Sequence, residues 1–241
     1  ALHARQSRCH IGQLKPSVSI QGLNLKFQPF RPILRSMETL IPDMPQPPST
    51  ESNATSLRGQ LLIAMPGLLD PNFVHSVVYI CQHSEAGAMG ITINRPLDLP
   101  LSQVFEQLDL DYSPPNGTQT LLCGGPVEEQ QGFVLHPPAE KHWQATAAIS
   151  DDIFLTTSRD IIDDMACDQG PDTALVALGY AGWTSGQLEQ ELLENAWLTI
   201  PPDSNLLSQL LFDSPLDQRA DLAAASLGIN LSQLSNSAGH A

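Results

Sequence analysis

What most constrains this chain is one stretch in its last third, where an apolar run at 174–178 leads into Gly179-Tyr180-Ala181-Gly182-Trp183-Thr184-Ser185-Gly186 and then Gln187-Leu188-Glu189-Gln190-Glu191-Leu192. The run is strand-like, the glycines permit positive φ and close backbone approach, and Leu188 and Leu192 stand one helical turn apart. The expectation is a strand, a tight glycine loop at 179–186 and a helix. Thr184 and Gln187 have the spacing of a capping box. A strand–loop–helix start can cradle a phosphate, because free N–H groups point out of a helix N-terminus. Here Glu189 and Glu191 would repel an anion, and Gly179-x-x-Gly182-x-x-x-Gly186 lacks the spacing of a dinucleotide or Walker loop. Packing and capping therefore lead.

Charge divides the chain. Residues 1–58 hold seven of the eleven Lys and Arg and three of the twenty-six Asp and Glu, whereas the remaining 183 residues hold four basic and twenty-three acidic side chains, a net charge of −19. Pro42, Pro45, Pro47 and Pro48, followed by Ser49-Thr50-Glu51-Ser52-Asn53, read as a linker with too little apolar content to offset its ordering entropy. Residues 1–57 are thus expected to form a disordered basic arm and linker, and 58–241 a single domain. The first 36 residues have the Arg-containing, acid-free profile of a transit peptide and lack the apolar core of a secretory signal. Met37-Glu38-Thr39-Leu40 also reads as an internal start, which would make the residues ahead of it a gene-start extension. No apolar run is long enough for a transmembrane helix.

Periodicity fills in the domain. Residues 61–64 and 73–83 read as strands, with 84–87 as a turn and 88–94 returning antiparallel. Leu101, Val104, Phe105 and Leu108 share one face of a helix. Residues 121–123, 132–136, 153–157 and 196–200 are further strands, Thr157 and Asp160 open a helix through Met165, and 216–227 closes as a helix capped by Gly228. Without a regular βαβ rhythm, this order predicts an α+β fold: a mixed, mainly antiparallel sheet, curled toward a barrel, with helices packed on it.

Reactive chemistry finds little footing. Cys81, Cys123 and Cys167 have neither CxxC pairing nor zinc-ligand spacing, and three thiols in such a domain favour a reducing compartment. His75 and His83 on one strand would lie ~26 Å apart, too far to share an ion. There is no G-x-S-x-G elbow and no Ser or Cys paired locally with a base. Arg95 stands out as one of four basic residues in the 183 residues from 59 to 241, beside strand-end glycines, where a guanidinium can hold a carboxylate or phosphate; the alternative is an ion pair with Asp98 or another surface carboxylate. Trp183, between Gly182 and a helix start, is expected to anchor its segment against the core, with exposure to a partner as the alternative.

The 179–198 stretch closely resembles the signature of the bacterial YqgE/AlgH family. The resemblance extends over about residues 58–241, through Leu62-Ile63-Ala64-Met65-Pro66, Asp70-Pro71-Asn72-Phe73, Gly87-Ala88-Met89-Gly90-Ile91-Thr92-Ile93-Asn94-Arg95-Pro96, Gly124-Gly125-Pro126-Val127, Gly132-Phe133-Val134-Leu135-His136-Pro137, Leu227-Gly228-Ile229 and Gly239-His240-Ala241. It implies a compact cytosolic α/β domain whose members carry the label of transcriptional regulator, with no agreed catalytic activity. The expectation is a cytoplasmic regulatory or interaction protein acting on transcription indirectly, since a domain of charge −19 repels the phosphate backbone. The alternative is an enzyme or ligand binder. The candidate ligand or partner surface comprises Asn94, Arg95, Gly124, Gly125, Pro126, His136, Gly179, Gly182, Trp183, Gly186 and Gln187. No catalytic residue, cofactor or metal is expected, and the partner would be a protein or small molecule rather than nucleic acid or membrane.

Overall fold

Strand formation follows the β-branched and aromatic runs in a computed structural model that describes residues 25–28 and 56–233. Ten strands form: β1 (Leu61–Ala64), β2 (Val77–Ser84), β3 (Gly87–Thr92), β4 (Pro96–Pro100), β5 (Thr120–Cys123), β6 (Val127–His136), β7 (Thr146–Ala148), β8 (Phe154–Thr156), β9 (Leu175–Thr184) and β10 (Trp197–Ile200). They are ordered β10-β1-β2-β3-β9-β6-β8-β7, with β5 joined to β9 and β4 to β5. The sheet is mixed and mainly antiparallel: β5 runs parallel to β9, and the other named pairs are antiparallel. It curls into a half-barrel packed by α1 (Leu101–Gln107), α2 (Arg159–Ala166), α3 (Gln187–Leu193), α4 (Ser204–Ser208) and α5 (Arg219–Ala225).

Both faces of the sheet are covered, which is why the strands read as nearly continuous apolar runs rather than alternating ones. Val77, Tyr79 and Cys81 of β2 enter a core with Leu210, Leu211, Ala223 and Ala224, while Val78 and Ile80 enter a different one with Trp183, Leu188 and Trp197. A third cluster sets Val134 of β6 and Val176 and Leu178 of β9 against Leu101, Val104 and Phe105 of α1 and Ile161 and Ile162 of α2. Of the 1–57 arm, residues 25–28 and 56–57 are described; Leu25 and Phe27 are buried in this third cluster. The remaining expectations for 1–57, and those for Gly239-His240-Ala241, lie outside the described residues.

Several local readings need correction. Gly179, Gly182 and Trp183 do not form a loop; β9 continues through them to Thr184, held by β3 on one edge and β6 on the other. Residues 73–76 form a turn ahead of β2, because His75 takes φ 58° and Asn94 locks the turn, donating from Nδ2 to the His75 carbonyl (2.9 Å) and accepting the Val77 N–H (2.8 Å). Thr157 and Asp160 do not cap α2; Ser158 is the N-cap residue, and Asp160 accepts from the Gln144 N–H (2.9 Å). The closing helix is shorter than its alanine-rich sequence, a 3-10 turn at Leu216–Gln218 preceding α5. β4 has no sequence signal: it lies between Pro96 and Pro100, its terminal residues pairing with Leu122 and Thr120 of β5.

Candidate functional site

Three glycines of the candidate surface, Gly124, Gly125 and Gly179, meet where the connection between β5 and β6 crosses β9. Ala177 pairs with Leu122 of β5 and with Phe133 of β6, and Leu178 pairs with Cys123 and with Gly132. A strand has two edges, so β5 and β6 flank β9 and Gly124-Gly125-Pro126 must carry the chain across it. Backbone contact at the crossing leaves no room for side chains. A Cβ on Gly124 would stand 2.2 Å from the Gly179 carbonyl oxygen, one on Gly125 2.2 Å from the Tyr180 carbonyl carbon, and one on Gly179 2.4 Å from the Gly125 oxygen. Gly125 and Gly179 also have positive φ, 152° and 73°. The Gly124 N–H donates to the Leu178 carbonyl (2.8 Å), and the Gly124 carbonyl accepts from Thr92 (2.9 Å), so the crossing completes the ladder between β3 and β9.

Asn94 and Arg95 adjoin this crossing through the backbone, the Arg95 carbonyl accepting from Cys123 N–H (2.9 Å). Their side chains are spent internally. Asn94 locks the 73–76 turn as described, and the Arg95 guanidinium donates to the Asn72 carbonyl, fastening the Asp70-Pro71-Asn72 turn. The other three basic residues of 59–241 are engaged as well, and Arg58 donates to the Ala148 carbonyl. Lys141 pairs with Asp164, Arg159 with Asp163 (3.1 Å), and the buried Arg219 donates to the carbonyls of Ile93 (2.5 Å), Leu211 (3.0 Å) and Ser214 (3.3 Å). Burial pulls the Arg219 guanidinium down to about 10.

His136 lies elsewhere, at the end of β6. It is 2% exposed, edge-on to Trp143 and stacked on Phe154. The Pro137 carbonyl can only accept, so Nδ1 carries the proton (2.7 Å), and Nε2 accepts from Thr156 Oγ1 (2.9 Å), which in turn takes the Thr146 hydroxyl proton (2.7 Å). Burial lowers the His136 pKa, with the bond to Pro137 opposing it.

Gly182, Trp183, Gly186 and Gln187 form a separate group toward the far end of β9; Gly179 and Thr184 are ~17 Å apart at strand spacing. Trp183 is 4% exposed, stacked on Phe73 (6.2 Å) and edge-on to Trp197 (5.9 Å). Glu191 of α3 holds both indoles: its Oε2 accepts from Trp183 Nε1 (2.8 Å) and Trp197 Nε1 (2.7 Å), and its Oε1 from Gln187 (2.9 Å). Gln187 reaches back to the Thr184 N–H (3.0 Å), as a capping box requires, but the Thr184 hydroxyl donates to that same Gln187 oxygen (3.1 Å) instead of capping the helix. Gly186, at φ 74°, is the N-cap. The sequence reading missed Glu191 as the centre of this group; its signal was a helical carboxylate near the midpoint between Trp183 and Trp197 on a strand–helix–strand unit, one of three glutamates in that interval.

The candidate residues therefore fall into three places rather than one pocket. An open polar cleft of about 340 Å³ lies apart from them, lined by Asn116, Gln119, Met165, Asp168, Asp172 and neighbours. Its amides are already bonded, Asn116 to Asp168 (2.7 Å) and Gln119 to the Ala174 carbonyl (2.6 Å). Among the described residues no group of three or more His, Cys, Asp or Glu is placed to hold a metal ion. No helix among them is long and apolar enough to cross a membrane. Two leucines missed by the sequence reading are conspicuously open: Leu69 is 81% and Leu193 78% exposed, each beside a leucine packed on the Trp183–Trp197 cluster.

Comparison with known proteins agrees with these landmarks. An AlgH-like family model matches residues 61–232. A UPF0301 protein from Thioalkalivibrio sulfidiphilus is 52% identical over 188 residues, 78% of this chain and 98% of that protein. A UPF0301 protein from Legionella pneumophila is 48% identical over 189 residues, 78% of this chain and 98% of its own length. The solution structure of the AlgH protein from Pseudomonas aeruginosa is similar at a TM-score of 0.64 and 45% identity, covering 80% of this chain and all of that one. By its matched length and by the order of strands and motifs that the match spans, the chain belongs to the AlgH-like family.

Proposed function

We propose that this is a cytoplasmic interaction protein that works by docking a protein partner, with any effect on transcription exerted through that partner. One observation carries the reading: Leu69 and Leu193 are open to solvent next to Leu68 and Leu192, which pack on the Trp183–Trp197 cluster, whereas the polar candidates for chemistry are consumed by internal hydrogen bonds. Exposed leucines on a fixed support suit an interface core. The charge of −19 disfavours nucleic acid, and its four basic side chains are tied to carboxylates or carbonyls. The test is quantitative affinity capture from the producing cell with wild type and Leu69→Asp/Leu193→Asp. A protein retained by wild type and depleted at least tenfold from the variant, with circular dichroism unchanged, supports the reading; identical protein sets from both would contradict it.

A further inference from the structure

Residues 25–28 form an extended segment bridged to β6 at Lys26, outside the hairpins and ladders of the domain. The Lys26 N–H donates to the Gln130 carbonyl (2.8 Å), the Lys26 carbonyl accepts from the Gly132 N–H (2.8 Å), and the bridge between Lys26 and Gln131 is parallel. Gln131 Nε2 reaches on to the Gln28 carbonyl (3.3 Å). These contacts fall on the part of β6 that β8 leaves uncovered, since β8 pairs with Val134, Leu135 and His136 alone. An open strand edge of this kind accepts an added strand.

Side chains alternate as in any strand: Leu25 and Phe27 are buried at 8% and 9%, while Lys26 and Gln28 face solvent. The Phe27 ring lies on the bare backbone of Gly132, where a Cβ would come within 2.0 Å of it. Leu25 and Phe27 share a cluster with Leu101, Val104, Phe105 and Trp143. The hollow and the edge belong to the family-matched region, which begins at residue 61, whereas the occupant lies ahead of it. Charge favours the docking, because residues 1–58 carry most of the Lys and Arg and the rest of the chain carries −19.

We propose that the Gln130–Gly132 edge and its hollow form a receptor for an extended peptide of pattern apolar-x-aromatic, with residues 25–28 of this chain as its tethered occupant. Strand addition supplies backbone bonds, and the hollow reads the aromatic side chain. The tether gives the occupant a high effective concentration, so a free peptide of the same pattern enters only when the arm is released.

The experiment uses the full chain, as wild type and as Leu25→Asp/Phe27→Asp, with a fluorescent synthetic peptide spanning residues 23–30. Amide hydrogen exchange is followed at Gly132. Arm release should raise Gly132 exchange at least tenfold while other β6 amides stay protected, and should raise peptide affinity at least tenfold over wild type. Adding back the peptide should restore Gly132 protection, and a peptide with Phe27→Ala should not. Equal Gly132 exchange in both chains, or equal binding of the Phe27→Ala peptide, would overturn the proposal. If the double variant loses protection throughout, Lys26→Pro, which removes only the donor to Gln130, is read the same way.

Discussion

Glu191 shows how one half-buried carboxylate can organise a signature. Its Oε2 is shared by two indole N–H groups from β9 and β10, and removing it strands both donors within an aromatic cluster. Glu191→Ala should therefore cost about 2–3 kcal/mol in urea unfolding, the penalty of buried donors left unpaired. Trp183→Ala should cost about 3–5 kcal/mol, as for a buried aromatic; a change within about 0.5 kcal/mol would mean the indole is not an anchor. His136 makes a pH prediction. Its folded pKa lies below the ordinary 6.5, so below that value the unfolded chain binds the proton more readily. The His136 contribution is intact above about pH 6.5 and is lost as pH falls through the folded pKa, with a slope of at most about 1.4 kcal/mol per pH unit. His136→Gln should flatten that part of a stability–pH curve measured by denaturant titration; an unchanged slope would locate the titration elsewhere.

At the level of elements, α5 is fixed less by its alanines than by Arg219, whose fork joins the end of β3 to the 209–214 segment through three carbonyls. Lysine has the charge without the fork, so Arg219→Lys should lose about 2–4 kcal/mol in the same unfolding assay. Nothing in the sequence marks that role, because the acceptors of Arg219 are backbone carbonyls, which no side-chain pattern reveals, and one of them is 126 residues away. What was legible is what local pattern encodes: α1 from its apolar spacing, the β2–β3 hairpin from two apolar runs around a turn, and the mainly antiparallel sheet from the absence of βαβ rhythm. What was not legible depends on distant chain. Residues 179–183 have the composition of a loop and become strand because β3 pairs with residues 181–184 on one edge and Val127 of β6 with Tyr180 on the other. Phe73 has the composition of a strand and sits in a turn because Asn94 holds it there. Of the candidate site, the close backbone approach was legible from the glycines, and Gly124, Gly125 and Gly179 make it; which two segments approach was not legible, because the partners lie about 55 residues apart in the chain.

Across the whole molecule, the crossing of Gly124-Gly125-Pro126 over β9 ties the β1–β2–β3 half of the sheet to the β6–β8 half. An acidic body of this kind should not shift duplex DNA in a mobility assay at micromolar protein and near-physiological salt; binding with a steep salt slope would contradict the electrostatic argument. The direct test of the account is equilibrium urea unfolding of Gly125→Ala and Gly179→Ala beside Gly186→Ala. All three glycines have positive φ, but a Cβ on Gly186 meets open space, whereas at Gly125 and Gly179 it meets backbone within 2.4 Å. Gly186→Ala should lose only the left-handed penalty of about 1–2 kcal/mol. Gly125→Ala and Gly179→Ala should lose at least about 3 kcal/mol or fail to fold, since neither backbone at the crossing can withdraw without breaking a ladder. If all three variants unfold at the same denaturant concentration, the glycine signature is not a strand crossing.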